Sequence, residues 1–130
     1  MLISRIKQEI GRDYRLLFSE SEEFFEKCKN QEITVLISEL FLNEVKKITK
    51  LTEEDVLEIL EKDLELSILK IKINKNDLIK ANELNTHKTD ALHAAIAINN
   101  ECDALITWNT KDFEMIKELR VLTPEEFISF

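Results

Sequence analysis

The sequence predicts one α/β domain, residues 1–130, with a largely parallel sheet covered by helices on both faces. Short apolar runs rich in β-branched residues alternate with longer segments that show helical spacing of apolar residues. The apolar runs are nearly continuous, which is typical of strands buried on both faces. The chain is 44% hydrophobic and 34% charged with one glycine and one proline, a composition that favours a helix-rich globular fold over disorder.

The first third of the chain predicts a helix, a strand and a second helix. Residues 19–29, SESEEFFEKCK, begin with the spacing of a capping box and continue with two phenylalanines. Residues 33–37, ITVLI, predict a buried parallel strand. Ser38 can cap the next helix, 39–48, whose apolar residues keep helical spacing.

The middle of the chain predicts a capped helix, a strand and a short helix. Thr52 and Asp55 have the spacing of a capping box at the start of a helix that continues through about residue 64. Residues 68–73, ILKIKI, predict a strand in which isoleucines alternate with lysines. Asn76 is the expected N-cap of the short helix that follows.

The last third predicts a helix, a buried strand and a final short helix. The helix is expected over residues 89–100 and the strand over residues 103–107, DALIT. Thr123, Pro124 and Glu126 supply an N-cap, a proline at the first helical position and a glutamate at the third, so a helix should run toward the C-terminus.

Composition excludes several classes of function. The net charge of −8 counts against non-specific adhesion to nucleic acid, although a nucleic-acid substrate remains possible if acidic groups form a metal site. Gly11 is the only glycine, so a phosphate-binding glycine loop cannot be built. No apolar run approaches the roughly 18 residues of a membrane span, and the N-terminus has no signal-peptide pattern, so we expect a cytoplasmic protein. Cys28 and Cys102 are too far apart for paired-ligand spacing and are interpreted as small core thiols.

Basic residues cluster near the N-terminus and again in the helix after ITVLI. A solvated helix face explains these residues more simply than a binding patch does. The two clusters consist of Arg5, Lys7, Arg12 and Arg15, and of Lys46, Lys47 and Lys50.

Three carboxylates lie near the predicted carboxyl ends of strands, where parallel α/β sheets bind their ligands. Glu44 lies in the helix after ITVLI, Asp90 at the start of the helix before DALIT, and Asp112 in the loop after DALIT. Converging carboxylates are suited to Mg²⁺ or Mn²⁺ and to phosphodiester chemistry. Taken singly, each also has a structural explanation, namely a solvated surface for Glu44, the helix macrodipole for Asp90 and turn formation for Asp112. His93, three residues after Asp90, is interpreted as a hydrogen-bonded packing residue.

Four segments together resemble the PIN domain family, which includes the VapC-type toxin ribonucleases. The resemblance implies a three-layer α/β/α fold with a mostly parallel central sheet and an Mg²⁺- or Mn²⁺-dependent endoribonuclease acting on RNA. It also implies a VapB-like antitoxin as partner and a homodimer. The segments are ITVLISELFLNEV at 33–45, KTDALHAAIA at 88–97, DALITWNTKDF at 103–113 and RVLTPEEF at 120–127.

The resemblance also assigns site residues. Glu44 corresponds to the second acidic position of the family and Asp90 to the third. Many members have Thr-x-Asp at the fourth position, where this chain has Thr107-Trp108-Asn109; Asn109 is the closer match, and Asp112 is the alternative source of a carboxylate. The resemblance thus implies that Asp90, Glu44 and Asp112 are catalytic. The implied metal ligands are Glu44, Asp90, Asn109 and Asp112, with Thr107 supporting the site through hydrogen bonds.

The N-terminus departs from the family pattern. The family begins with a strand that ends in D-x-N and lies between the strands formed here by ITVLI and DALIT, whereas this chain begins MLISRIKQE. Asp13 does not end a strand and does not replace the missing acid. We therefore expect the first strand and the first acidic residue to be missing, through N-terminal truncation, or replaced by Met1–Ile3 or by a partner chain. The alternative to a ribonuclease is an impaired PIN-like domain that binds RNA or a protein without cleavage.

Overall fold

A computed structural model of the protein describes residues 22–107 and 110–129, and its helices and strands alternate along the chain. The helices are α1 (Glu22–Asn30), α2 (Glu39–Thr49), α3 (Glu53–Leu57), α4 (Lys75–Glu83), α5 (Lys88–Asn99) and α6 (Pro124–Ile128). The strands are β1 (Thr34–Ser38), β2 (Ser67–Ile71), β3 (Leu105–Ile106) and β4 (Val121–Leu122). A π-helical turn, Glu58–Asp63, follows α3, and a 3-10 turn, Thr110–Phe113, follows β3.

The described strands form two parallel pairs. Strand β1 pairs with β2 so that Thr34 lies opposite Ser67 and Ser38 opposite Ile71. Strand β3 pairs with β4, with Leu105 opposite Val121. The mixed α/β class with parallel strands is therefore confirmed. Within the described ranges the pairs are separate two-stranded sheets, and the first strand predicted to be missing or replaced would involve residues before Glu22, outside those ranges.

A mostly apolar cavity of about 310 Å³ is lined by residues of both sheets. Val35 of β1 and Ile106 of β3 contribute to its wall, as do Phe24 and Cys28 of α1 and Phe127 of α6. The two sheets therefore border one shared cavity.

Hydrogen-bonded caps fix where most helices begin. The Ser38 hydroxyl accepts a hydrogen bond from the backbone N–H of Phe41 at 3.2 Å, as predicted for the start of α2. The predicted capping boxes at α3 and α6 are also present. The expected cap at Asn76 is wrong: Asn74 caps α4, because Asp77 lies three residues after it and completes a capping box, whereas Ile79 follows Asn76 at that distance.

Helix α5 is buried along most of its length. Four of its alanines are almost inaccessible, and small side chains allow neighbouring elements to approach closely. Ile96 of α5 belongs to the same core cluster as Ile37 of β1, Val45 of α2 and Leu105 of β3. A helix with apolar residues around most of its circumference is expected in such a position. No helix in the described part of the chain is long and apolar enough to cross a membrane.

Candidate active site

The candidate site begins where α2 leaves β1. Ser38 ends the strand and also caps the helix, so α2 starts directly at the carboxyl end of β1. Glu44 lies at the sixth position of α2, and its side chain is only 13% exposed. A carboxylate this deeply buried needs hydrogen-bond partners, because burial removes the water that would otherwise solvate its charge.

His93 of α5 is one such partner. Its Nε2 lies 3.2 Å from Oε1 of Glu44, and the His93 side chain is 7% exposed. An ionised carboxylate only accepts hydrogen bonds, so the contact is a hydrogen bond to ionised Glu44 in the tautomer that carries the ring proton on Nε2. His93 Nδ1 is buried and has no hydrogen-bond partner among the described residues. The expected hydrogen-bonded packing role of His93 agrees with this geometry, and its partner is a predicted site residue.

Asp90 lies one turn before His93, at the third position of α5. Residues three apart on a helix are neighbours on its surface, so Asp90 is the neighbour of His93, the residue that contacts Glu44. Its side chain is partly exposed. Asp90 is the acidic group in the first turn of α5, where the helix macrodipole stabilises negative charge. The side chain of His87, the N-cap of this helix, makes no capping hydrogen bond.

The predicted residues after β3 occupy different environments. Thr107 is fully buried at the end of β3, and its backbone N–H donates to the carbonyl oxygen of Leu122 at 2.9 Å. Asp112 lies exposed in the 3-10 turn, where its backbone carbonyl accepts a hydrogen bond from the hydroxyl of Thr86 at 2.6 Å. Asn109 lies outside the described residues.

The donor chemistry suits a hard divalent cation, but the described residues do not complete a site for one. Carboxylate oxygens such as those of Glu44 and Asp90 are ligands that Mg²⁺ and Mn²⁺ prefer. In ranges 22–107 and 110–129, no group of three histidine, cysteine, aspartate or glutamate side chains could hold a metal ion. The predicted ligand set includes Asn109, outside these ranges, so the assignment of metal ligands stays a prediction.

A family model described as PIN domain matches residues 12–111 of the 130-residue chain. The chain belongs to the PIN domain family. No curated protein and no solved structure is significantly similar to it. PIN domains are typically nucleases and generally bind divalent metals. The match includes Glu44, Asp90 and the Thr107–Asn109 segment and ends one residue before Asp112.

The pairing of His93 with Glu44 in this PIN domain was not predicted from the sequence. The two residues are 49 positions apart, and nothing local relates them. The available signal was a single polar side chain within the apolar run ALHAAIA, one turn after an acidic residue. A buried histidine in such a run requires a hydrogen-bond partner, and the acidic residues at the strand ends were the available candidates.

Proposed function

We propose that this PIN domain is a cytoplasmic endoribonuclease, the VapC-like toxin of a type II toxin–antitoxin system. The observation that carries the proposal is the PIN match across both Glu44 and Asp90, combined with the contact that holds Glu44 beside His93, one turn after Asp90 in α5. RNA is the substrate class that the family suggests. The single domain over 1–130, the homodimer and the VapB-like antitoxin are parts of the same proposal and rest on the resemblance.

In this proposal Glu44 and Asp90 hold Mg²⁺ or Mn²⁺, and Asn109 or Asp112 adds a further oxygen ligand. A bound ion would polarise the phosphodiester and lower the pKa of a water molecule. The protein's contribution is positioning. His93 restricts the Glu44 carboxylate to one orientation, and α5 presents Asp90 from the adjacent turn. Buried Thr107 supports the loop that carries Asn109.

Cleavage of a labelled single-stranded RNA in Mn²⁺ tests the proposal. Glu44→Gln and Asp90→Asn should each lower the rate at least about 100-fold, because each removes a charged ligand in an almost isosteric change. Asp63→Asn, at an exposed aspartate of the π-helical turn, is the matched control and should leave the rate unchanged. Undiminished cleavage by Asp90→Asn would refute the assignment of Asp90.

The fourth acidic position is tested by a separate pair of variants. Asp112→Asn removes the only carboxylate of the 3-10 turn, and Asn109→Ala removes the amide of the neighbouring candidate. If Asp112 is the ligand, the first variant loses activity and the second retains most of it. The reverse pattern assigns the position to Asn109.

The second candidate function is binding of RNA or a protein without cleavage. The contact between Glu44 and buried His93 favours it, because a carboxylate engaged by the protein has fewer lone pairs for a metal. RNA binding by the unaltered chain with no cleavage across a Mn²⁺ titration would support this alternative. Cleavage that Asp90→Asn abolishes would exclude it.

A further inference from the structure

Three lysines line one depression at the C-terminal end of α2. Lys46, Lys47 and Lys50, together with Asn43, surround a shallow surface depression of about 420 Å³. Positions i, i+3, i+4 and i+7 lie on one side of a helix, so these four residues form a continuous strip. We refer to the three lysines as the α2 lysine patch.

The α2 lysine patch is not neutralised by the described acidic residues. Lys29, Lys70 and Lys80 form ion pairs with glutamates, whereas the three patch lysines make none with any residue in the described ranges. This is notable in a chain of net charge −8. Three adjacent cations on a protein of net negative charge produce a local positive potential that attracts a polyanion to this place.

One residue of the patch, Lys47, lies next to the candidate active site. Lys47 follows Glu44 by three residues and is therefore its neighbour on the helix surface. At a rise of about 1.5 Å per residue, Lys47 lies about 4.5 Å and Lys50 about 9 Å from Glu44 along the helix axis. A polynucleotide with one phosphate near Glu44 would bring its next phosphates within reach of these flexible side chains.

We propose that the α2 lysine patch binds the backbone phosphates of single-stranded RNA next to the bond presented to Glu44. This inference rests on the proposed function, because it assigns a binding surface to the substrate of that site. It replaces the interpretation of these lysines as a merely solvated helix face. All three lysines share one depression, and Lys47 is the helix-surface neighbour of a predicted catalytic residue.

RNA binding without cleavage provides the test. Fluorescence anisotropy of a labelled single-stranded RNA in EDTA compares the unaltered chain with Lys46→Gln/Lys47→Gln/Lys50→Gln. The matched control, Lys62→Gln/Lys72→Gln/Lys117→Gln, removes the same charge from exposed lysines at other places. The patch variant should bind at least about tenfold more weakly at 50 mM salt. Its plot of the logarithm of the association constant against log[salt] should be shallower, with a slope less negative by about 2. The control should change both quantities much less.

Two further measurements keep the test decisive. Lys46→Arg/Lys47→Arg/Lys50→Arg should restore most of the affinity, because phosphate contacts require charge. Circular dichroism melting identifies a variant that fails to fold. If the triple variant does not fold, the three single substitutions are compared instead, and each should make the salt slope less negative by about 0.7. Equal losses in the patch variant and the control would overturn the proposal, because net charge alone would then explain the binding.

The outcomes for the patch and for the proposed function are separable. If RNA binding depends on the patch but no cleavage occurs in Mn²⁺, the RNA-binding role of the patch is supported and the ribonuclease proposal is refuted. If RNA is cleaved but its binding does not depend on the patch, the ribonuclease proposal is supported and the role of the patch is refuted. Absence of any RNA binding by the unaltered chain would overturn both.

Discussion

The hydrogen bond between His93 and Glu44 should contribute measurably to the stability of the protein. Hydrogen bonds to charged groups contribute about 1.5–3 kcal/mol, and both partners here are largely buried, so solvent does little to replace the contact. His93→Ala removes the bond and leaves the Glu44 carboxylate without this donor. It also removes the packing of the ring, so the total loss should be about 2–4 kcal/mol.

A double-mutant cycle separates the hydrogen bond from the packing. The free energy of unfolding in urea is measured for the unaltered chain, His93→Ala, Glu44→Ala and the double variant. The coupling between the two substitutions should be about 1.5–3 kcal/mol. His87→Ala is the control, since exposed His87 makes no side-chain capping bond, and it should change stability by less than about 0.5 kcal/mol. A coupling below about 0.5 kcal/mol would refute the contact, because independent sites add within that range.

Three further predictions concern the scaffold. Ser38→Ala should lower the free energy of unfolding by about 1 kcal/mol in urea, because the N–H of Phe41 loses its acceptor, whereas Ser38→Thr should retain most of it. Asp77→Ala should lower the free energy of unfolding in urea by about 2–4 kcal/mol, because Asp77 is fully buried and accepts hydrogen bonds from Asn99 Nδ2 and the Asn74 N–H at 2.9 Å each. A decrease of less than about 0.5 kcal/mol would contradict this prediction. Burial raises the pKa of the Cys28 thiol from 9.0 to about 11, so Cys28 should resist alkylation at pH 8 in the folded protein and react in urea. Its contribution to stability should be complete below pH 9 and should be lost as the pH rises through about 11, which unfolding measured against pH would show.

Features determined by neighbouring residues were predictable from the sequence. The boxes Thr52–Asp55 and Thr123–Glu126 form as expected, because each depends on residues three apart. The same rule, applied fully, would have selected Asn74 over Asn76. The change from α3 to a π-helical turn at Glu58 was not predictable, because nothing in the hydrophobic spacing marks the switch from i→i+4 to i→i+5 bonding.

Features determined by the packing of distant residues were less predictable. The apolar runs indicated strands, but DALIT pairs over only Leu105 and Ile106, because the extent of a strand depends on its partner. The positions of Glu44 and Asp90 in their helices followed from the sequence. The partner of Glu44 did not, because the contact with His93 exists only after α5 packs near α2.

Helix α5 is held at two points by buried polar contacts. His93 bonds to Glu44 of α2, and six residues later Asn99 bonds to Asp77 of α4. At about 100° per residue these two side chains leave α5 in different directions, so the contacts fix its rotation as well as its position. Apolar packing among alanines specifies rotation poorly, because alanines present nearly the same small surface on every side. The two polar contacts therefore set the direction in which Asp90 projects, and a scaffold contact remote from Glu44 helps to define the geometry of the candidate active site.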